Sequence, residues 1–405
     1  MQCSWDPMSK QLIVAVVHNR YQWSGGEDRV FEFEAGLLEA AGLRVHRFEI
    51  HNDIVNTMNR AQLAIRTLWS RQSHADFEAA FRSIEPDVVH VHNTLPLVSA
   101  SVFAAARRAG AAVVQTLHNY RMICPSATLF RDGKPCEACV TQPLAISGIR
   151  HACYRNSRPA TAVVAGTTFV HRTLGTYARN VDRFIALTDF ARQKLIEGGL
   201  PTHQIVVKPN FTLPATEHRA AVGNAALFVG RLSEEKGIRT LLEAWKRHSD
   251  LPLLRIAGDG PLRAVAESAA RSHDRITVLG ELDSHEVQTE MRNAALLVFP
   301  SIWYEPFGLT IIEAFSVGLP VVASRTGSVA ELVSDGETGL IFTPGDVDGL
   351  AASVRRLTTD RTLNANLGDG ALRQYEDRYT PAANKDLLLR IYSDAIADRP
   401  TTPPR

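Results

Sequence analysis

Residues 299–324 read FPSIWYEPFGLTIIEAFSVGLPVVAS, and the fold follows from how this stretch is built. An apolar run, 295–299, ends in a loop carrying Trp303 and Tyr304. Glu305-Pro306-Phe307-Gly308-Leu309-Thr310 comes next, then a helical run to Val317, a Gly318-Leu319-Pro320 break and a second apolar run, 321–324. Strand, helix and strand in that order make a parallel α/β unit, in which ligands bind beyond the carboxyl ends of the strands. Glu305 precedes the helix and Glu313 lies inside it. A helix N-terminus offers free N–H groups and partial positive charge to a phosphate. Carboxylates accept hydrogen bonds from sugar hydroxyls. The stretch reads as a cradle for a ligand that is both phosphate and polyol.

The same alternation runs outward through the chain. At 405 residues two domains are expected. Upstream, strands are predicted at 11–17, 43–50, 87–91, 112–117, 182–188 and 204–207, with helices such as 27–41 and 97–109 between them. A polar, Pro-containing segment, 208–224, breaks the pattern as a linker. Downstream, strands are predicted at 225–229, 253–257, 276–279, 295–299, 321–323 and 340–342. The expectation is an α/β protein of two doubly wound, Rossmann-like domains, 1–210 and 211–379, facing each other across a cleft. The Pro-rich tail 398–405 reads as disordered.

Bulk properties narrow the function. Hydrophobic residues at 45% and charged residues at 21% are those of a globular chain. A formal net charge of +1 supplies no global field for nucleic acid or an anionic membrane. The apolar run 12–17 is too short for a signal peptide core or a span and reads as the first strand. A cytoplasmic protein is expected, with peripheral membrane contact left open. Four of the five cysteines fall between 124 and 153, and in a reducing compartment such clustering favours a metal over disulfides.

The loops after each strand carry the chemistry. Ser24-Gly25-Gly26-Glu27 brings backbone close to a ligand and starts a helix; a turn kept for packing has the same pattern. His118, after the fourth strand, stands at a site mouth where imidazole donates to a hydroxyl, or is satisfied by local backbone. Gly230-Arg231 and Lys236-Gly237 put two cations on one loop, suited to a diphosphate, although Glu234 and Glu235 between them also fit a solvated loop. Gly258 and Leu282 sit in loops that would wall a base pocket, or are plain turns. Segment 121–158 holds Cys124, the pair Cys136 and Cys139, and Cys153, with His151 as a substitute ligand. That set fits a closed tetrahedral zinc site that staples a segment poor in apolar residues; redox-active thiols, disulfides or buried free cysteines are the alternatives. Its arginines also make a local basic patch.

The order of Gly25-Gly26, His118, Gly230-Arg231, Lys236-Gly237 and Glu305-Pro306-Phe307-Gly308 with Glu313 resembles the large family 4 of retaining glycosyltransferases (group 1 type). The resemblance spans most of the chain, and the two glutamates around an EPFG core are its most specific part. It implies the GT-B architecture and a nucleotide-sugar donor built on UDP, GDP or ADP. It implies that Gly25 and Gly26 lie against the donor diphosphate and that His118 contacts the transferred sugar. Arg231 and Lys236 would neutralise the leaving group, and Glu305 would hold sugar hydroxyls. The amides of Phe307, Gly308 and Leu309 would meet sugar and phosphates, and Glu313 the ribose. Transfer on the front face would need neither a carboxylate nucleophile nor a catalytic metal. The last helix, 380–397, would return to the first domain. The cysteine-rich segment is similar to a feature of a bacterial subgroup only.

An acceptor that is a saccharide or lipid-linked saccharide of bacterial polysaccharide or envelope synthesis follows from the same resemblance. Two rivals remain at this point. One is a nucleotide-sugar 2-epimerase of the same architecture, distinguished by needing no acceptor. The other is a non-catalytic, zinc-stapled binding protein, which predicts missing site residues. A nucleic-acid partner is not expected, since no basic face with interleaved aromatics is evident.

Overall fold

The computed structural model describes residues 11–22 and 25–399. Strands β1 (Ile13–Arg20), β2 (Arg44–His51), β3 (Val88–Val91) and β4 (Ala112–Leu117) precede a short antiparallel hairpin, β5 (Phe130–Arg131) and β6 (Lys134–Pro135). Strands β7 (Arg183–Ala186) and β8 (Ile205–Val207) complete the first sheet, in the order β2-β1-β3-β4-β7-β8. The second sheet holds β9 (Ala225–Val229), β10 (Leu253–Ala257), β11 (Ile276–Gly280), β12 (Leu296–Phe299), β13 (Val321–Ser324) and β14 (Gly339–Phe342). Its order is β11-β10-β9-β12-β13-β14. All pairings within the two sheets are parallel. Each sheet reverses its strand order once, between β1 and β3 and between β9 and β12. Ligands of such sheets bind at that reversal.

Period-two side chains explain why both faces are covered. Val14 and Val16 of β1 meet Phe31, Leu38, Leu388 and Tyr392, while Ala15 and Val17 meet the opposite layer with Phe81 and Phe103. In the second sheet Ala226 and Phe228 pack with Trp245 and Leu350, and Leu227 packs with Ile311 and Phe315. Each fully buried side chain of this size contributes about 1.5–3 kcal/mol. The helix Pro381–Ala397, capped by Thr380, therefore lies on the first sheet although it follows the second in sequence.

Two elements depart from the pattern in instructive ways. β1 runs past its apolar residues to Arg20, because Asn19 donates to Ile50 O and Asn52 Oδ1 and so prolongs the pairing with β2. The helix expected from 97 begins at Ser101. Leu97 N–H is drawn away to Asn19 Oδ1 at 2.8 Å, and Ser99 is left-handed with φ 61°. The expected tail lies beyond the described residues from position 400 on.

Candidate active site

The loops at the two reversals face each other. In the second domain β9 leads through Gly230 into Arg231 and a short turn, Glu234–Lys236. Gly237 then has φ 72°, and a Cβ there would stand 1.9 Å from Pro300 O. Only glycine lets this loop press against the one that follows β12. That contact delivers Lys236 to the neighbouring loop. Its Nζ lies 2.7 Å from Glu305 Oε1, which also accepts from Ser301 Oγ at 2.8 Å. Glu305 is 2% exposed, so its charge is compensated by a cation and a hydroxyl, as a buried carboxylate requires. Lys236 also lies 5.4 Å from the Trp303 ring. The Trp303 indole N–H is buried and has no partner among the described residues. Glu234 turns to Arg239 and Glu235 to Ser233, so neither competes for Lys236. Arg231 is exposed on the same loop.

The helix Leu309–Ser316 starts with Gly308 as its N-cap and no side-chain cap, leaving its first N–H groups available. Thr310 and Glu313 from this helix line a cavity of about 290 Å³ together with Gly230, Gly258 and Leu282. Gly258 is another obligatory glycine: φ is 136° and a Cβ would stand 2.0 Å from Gly230 O. Arg29 and Phe33 close the cavity from the first domain. Arg29 Nη2 reaches Glu313 Oε1 at 2.7 Å.

On the first-domain side Gly25 caps the helix Gly26–Ala40, and its N–H is held by Asp28 Oδ2 at 2.8 Å. Gly26 lies so close to the second domain that a Cβ would be 3.1 Å from Leu309 Cδ1. Ser24 lies outside the described residues. Burial pushes the Glu27 carboxyl up to about 8, although the Tyr21 hydroxyl donates to it at 2.9 Å. Burial also acts to raise Asp28, but hydrogen bonds from His18 and Gly25 hold it below the usual carboxylate range.

His118 is half-buried, and its partner is another side chain, not local backbone. His118 Nε2 lies 2.9 Å from His92 Nδ1, with the rings stacked at 5.2 Å. On its far edge His92 Nε2 faces Glu34 Oε2 at 3.5 Å, beyond a hydrogen bond, and Glu34 Oε2 also stands 3.9 Å from His90 Nδ1. A proton on His92 Nε2 faces that carboxylate's negative charge, whereas a bare nitrogen would oppose its lone pairs, so the His92 proton is assigned to Nε2. His92 Nδ1 then accepts from His118 Nε2–H, and His118 presents a bare Nδ1 as its other edge. Burial holds His118 and His92 well below the usual imidazole range, so both stay neutral.

Glu34, His90 and His92 each place a donor atom within 4.8 Å of the others, a spacing open to a metal. The rest of the shell says otherwise. Lys208 Nζ is already bonded to Glu34, and both residues are fully buried. His90 uses one nitrogen on Tyr392 and the other on Thr116, each at 2.8 Å. The cluster is a buried polar network behind His118, in which Glu34 already has a cation and His90 has both nitrogens occupied.

Among the predicted residues, then, Lys236 and Glu305 form one pair, and Gly258, Leu282 and Glu313 line one cavity. Phe307 and Gly308 are buried beside the helix start. Arg29, His92, Trp303 and Ser301 were not found from the sequence. His92 carried the one available signal, since it stands just past the end of β3. The cysteines of segment 121–158 also meet, whereas His151 is exposed and stands outside their cavity; the expected substitute ligand is not where a ligand would be.

Two Rossmann-like domains with their strand ends facing across a cleft define the GT-B class of fold. Residues 13–210 match the Glycosyl transferase 4-like domain and residues 217–374 match Glycosyl transferases group 1. The chain thus carries a glycosyltransferase 4-like domain followed by a group 1 glycosyltransferase domain. It is 32% identical over 175 residues to alpha-D-kanosaminyltransferase of Streptomyces kanamyceticus, covering 42% of this chain and 45% of that protein. The chain spans less than half the length of the curated relatives it matches first. Sucrose-phosphate synthase from Thermosynechococcus elongatus shares the fold with a TM-score of 0.69 at 19% identity, over 96% of this chain and all of that one. Anabaena HepE in complex with UDP-glucose does so with a TM-score of 0.67 at 18% identity, over 95% and 100%. No helix among the described residues is long and apolar enough to cross a membrane.

Proposed function

We propose that this protein is a retaining glycosyltransferase that moves a sugar from a nucleoside diphosphate sugar to an acceptor hydroxyl. One observation carries the reading. A cavity walled by Gly230, Gly258, Leu282 and Glu313 adjoins the loops of the Lys236–Glu305 pair and an uncapped helix N-terminus. The cavity suits a nucleoside, with Glu313 accepting from ribose hydroxyls. Lys236, Arg231 and the first N–H groups of the helix suit the diphosphate, and Glu305 with His118 suits the sugar. As the anomeric carbon–oxygen bond breaks, its electron pair passes to the diphosphate, and those cations and dipoles stabilise the growing charge. The acceptor oxygen bonds to the anomeric carbon on the same face, and its proton passes to a diphosphate oxygen. Two protein cations already serve the leaving group, so this chemistry calls for no catalytic metal.

The HepE complex with UDP-glucose supports a nucleotide-sugar donor for this chain. The acceptor in this reading is a saccharide or lipid-linked saccharide of bacterial polysaccharide or envelope synthesis. It is received on the first-domain side, beside Glu27 and Asn119, by an enzyme working at the cytoplasmic face of the membrane. A thermal-shift panel of UDP-, GDP- and ADP-sugars tests the proposal. One base class should raise the melting temperature and its nucleoside diphosphate should compete. No shift from any donor at millimolar concentration would reject the reading, and sugar isomerisation without acceptor would replace transfer by epimerisation.

A further inference from the structure

The segment between β4 and the helix Arg158–Thr173 is ordered with almost no regular structure of its own. It holds the two-residue strands β5 and β6 and one five-residue helix, Ile146–Arg150. Its backbone is also costly. Of the eight described non-glycine residues with positive φ, six lie here: Ala127, Leu129, Asp132, Ala152, Arg155 and Asn156. Each such residue costs about 1–3 kcal/mol and persists only where its surroundings over-determine it. The segment's apolar residues that reach the first-domain core, chiefly Met122, Ile123, Leu129 and Val140, all lie in its first two-thirds. What ties the later turns to the earlier ones is a different kind of contact.

Cys124, the pair Cys136 and Cys139, and Cys153 come from three separate stretches of the segment and line a single small cavity of about 10 Å³ together with Phe130 and Arg131. That volume admits one water-sized sphere. All four cysteines are free, and no carboxylate or imidazole lines the cavity. The groups around the sulfurs are able to donate. Ser126 Oγ lies 3.1 Å from Cys124 Sγ, Gly148 N–H is directed at Cys139, and the Arg131 guanidinium at Cys153. Neutral thiols have little use for a ring of donors, whereas metal-bound thiolates are oriented and stabilised by one. A guanidinium beside the ring also offsets the net negative charge of four thiolates around a divalent cation.

We propose that Cys124, Cys136, Cys139 and Cys153 bind one structural Zn²⁺ as four thiolates. Four soft sulfur donors closing on a single small volume, with no fifth position, are the ligand set of a tetrahedral structural site. Binding exchanges four thiol protons for the ion and involves no redox change. Its consequence reaches the active site. The segment begins at His118 itself, and Tyr120 within it sends its hydroxyl to Glu305 O across the cleft at 3.5 Å. Glu137, between the paired cysteines, bonds Lys194 at 3.0 Å and the Tyr304 side chain. The ion thereby fixes one wall of the cleft.

The experiment uses the full chain purified under reducing conditions without added metal. Elemental analysis should find one zinc per chain, retained on dialysis and released by titration with an organomercurial. Growth with cobalt should give the intense visible absorption of a tetrahedral thiolate site. Cys153→Ser should lose the metal and Cys153→His should keep it. If the variants fail to fold, the wild-type metal content and cobalt spectrum decide alone. Folded wild-type protein with no stoichiometric metal, or with these cysteines in disulfides, overturns the proposal. Because the readout is metal and not turnover, it stands or falls independently of the glycosyl-transfer reading.

Discussion

Lys236 is held where a diphosphate would need it by a carboxylate that is itself nearly inaccessible to water. This pairing sets the expectation for its removal. Lys236→Ala should lower kcat about 10²–10³-fold, the loss typical of one charge-stabilising donor, while the circular dichroism spectrum stays that of the wild type. Near-normal turnover would remove Lys236 from the chemistry. His92 acts one step further back, through the tautomer of His118. Nitrogen-15 correlation spectra should show His118 protonated at Nε2. His92→Gln supplies an acceptor carbonyl and should keep that tautomer and most of the activity. His92→Leu strands a buried donor, so the tautomer should become mixed and kcat/KM fall roughly 5- to 100-fold. Equal behaviour of the two variants would mean that His92 only fills space.

At the scale of elements, the segment after β8 is anchored by one buried ion pair. Lys208 meets Glu34 of the helix Gly26–Ala40 and Asn384 Oδ1 of the helix Pro381–Ala397, the latter at 3.2 Å. Three parts of the chain far apart in sequence share that ammonium. Breaking a buried pair by removing one partner leaves an uncompensated charge and costs about 3–5 kcal/mol. Lys208→Met should therefore lower the unfolding free energy of the first-domain transition by that much, read as a lower midpoint in urea denaturation at unchanged slope. Joining it with Glu34→Leu should recover much of the loss, because a well-packed apolar pair replaces two desolvated charges. If the double variant is as unstable as the single, the pair's role is not electrostatic.

At the scale of the molecule, the two domains meet through the Phe190 and Tyr304 rings, 4.8 Å apart, and through polar contacts beside them. Thr188 and Ser328 hydroxyls lie 2.7 Å apart, and Glu331 accepts from the N–H groups of Asp189 and Phe190. The Arg29–Glu313 pair spans the cavity, but the Arg29 side chain is 42% exposed, and such a pair is worth at most about 1 kcal/mol. A ribose can displace it. Arg29→Ala should thus strengthen nucleoside diphosphate binding by up to about fivefold in calorimetry, since Glu313 no longer has a competitor. Glu313→Ala should weaken it. Weaker binding in Arg29→Ala would instead mean that Arg29 itself touches the nucleotide.

Much of this molecule is determined locally and is therefore legible in its sequence. Apolar runs bounded by glycine, proline and polar residues specify the strands of both sheets, because burial on two faces leaves no freedom in pattern. Glycines at 237 and 258 mark close backbone approaches, and Glu305 with Glu313 announces a polar ligand at a helix start. The tertiary structure alone decides who meets whom. His92 pairs with His118, and Lys208 with Glu34, only because parallel strands bring distant segments to one sheet edge. Arg29 reaches Glu313 only because the domains close on each other. Four cysteines spread over thirty residues share a cavity only because the loops between them fold back. Spacing along a chain records what a residue is and what its neighbours will do; three-dimensional packing records its partners, and the partners set its charge, its tautomer and its work.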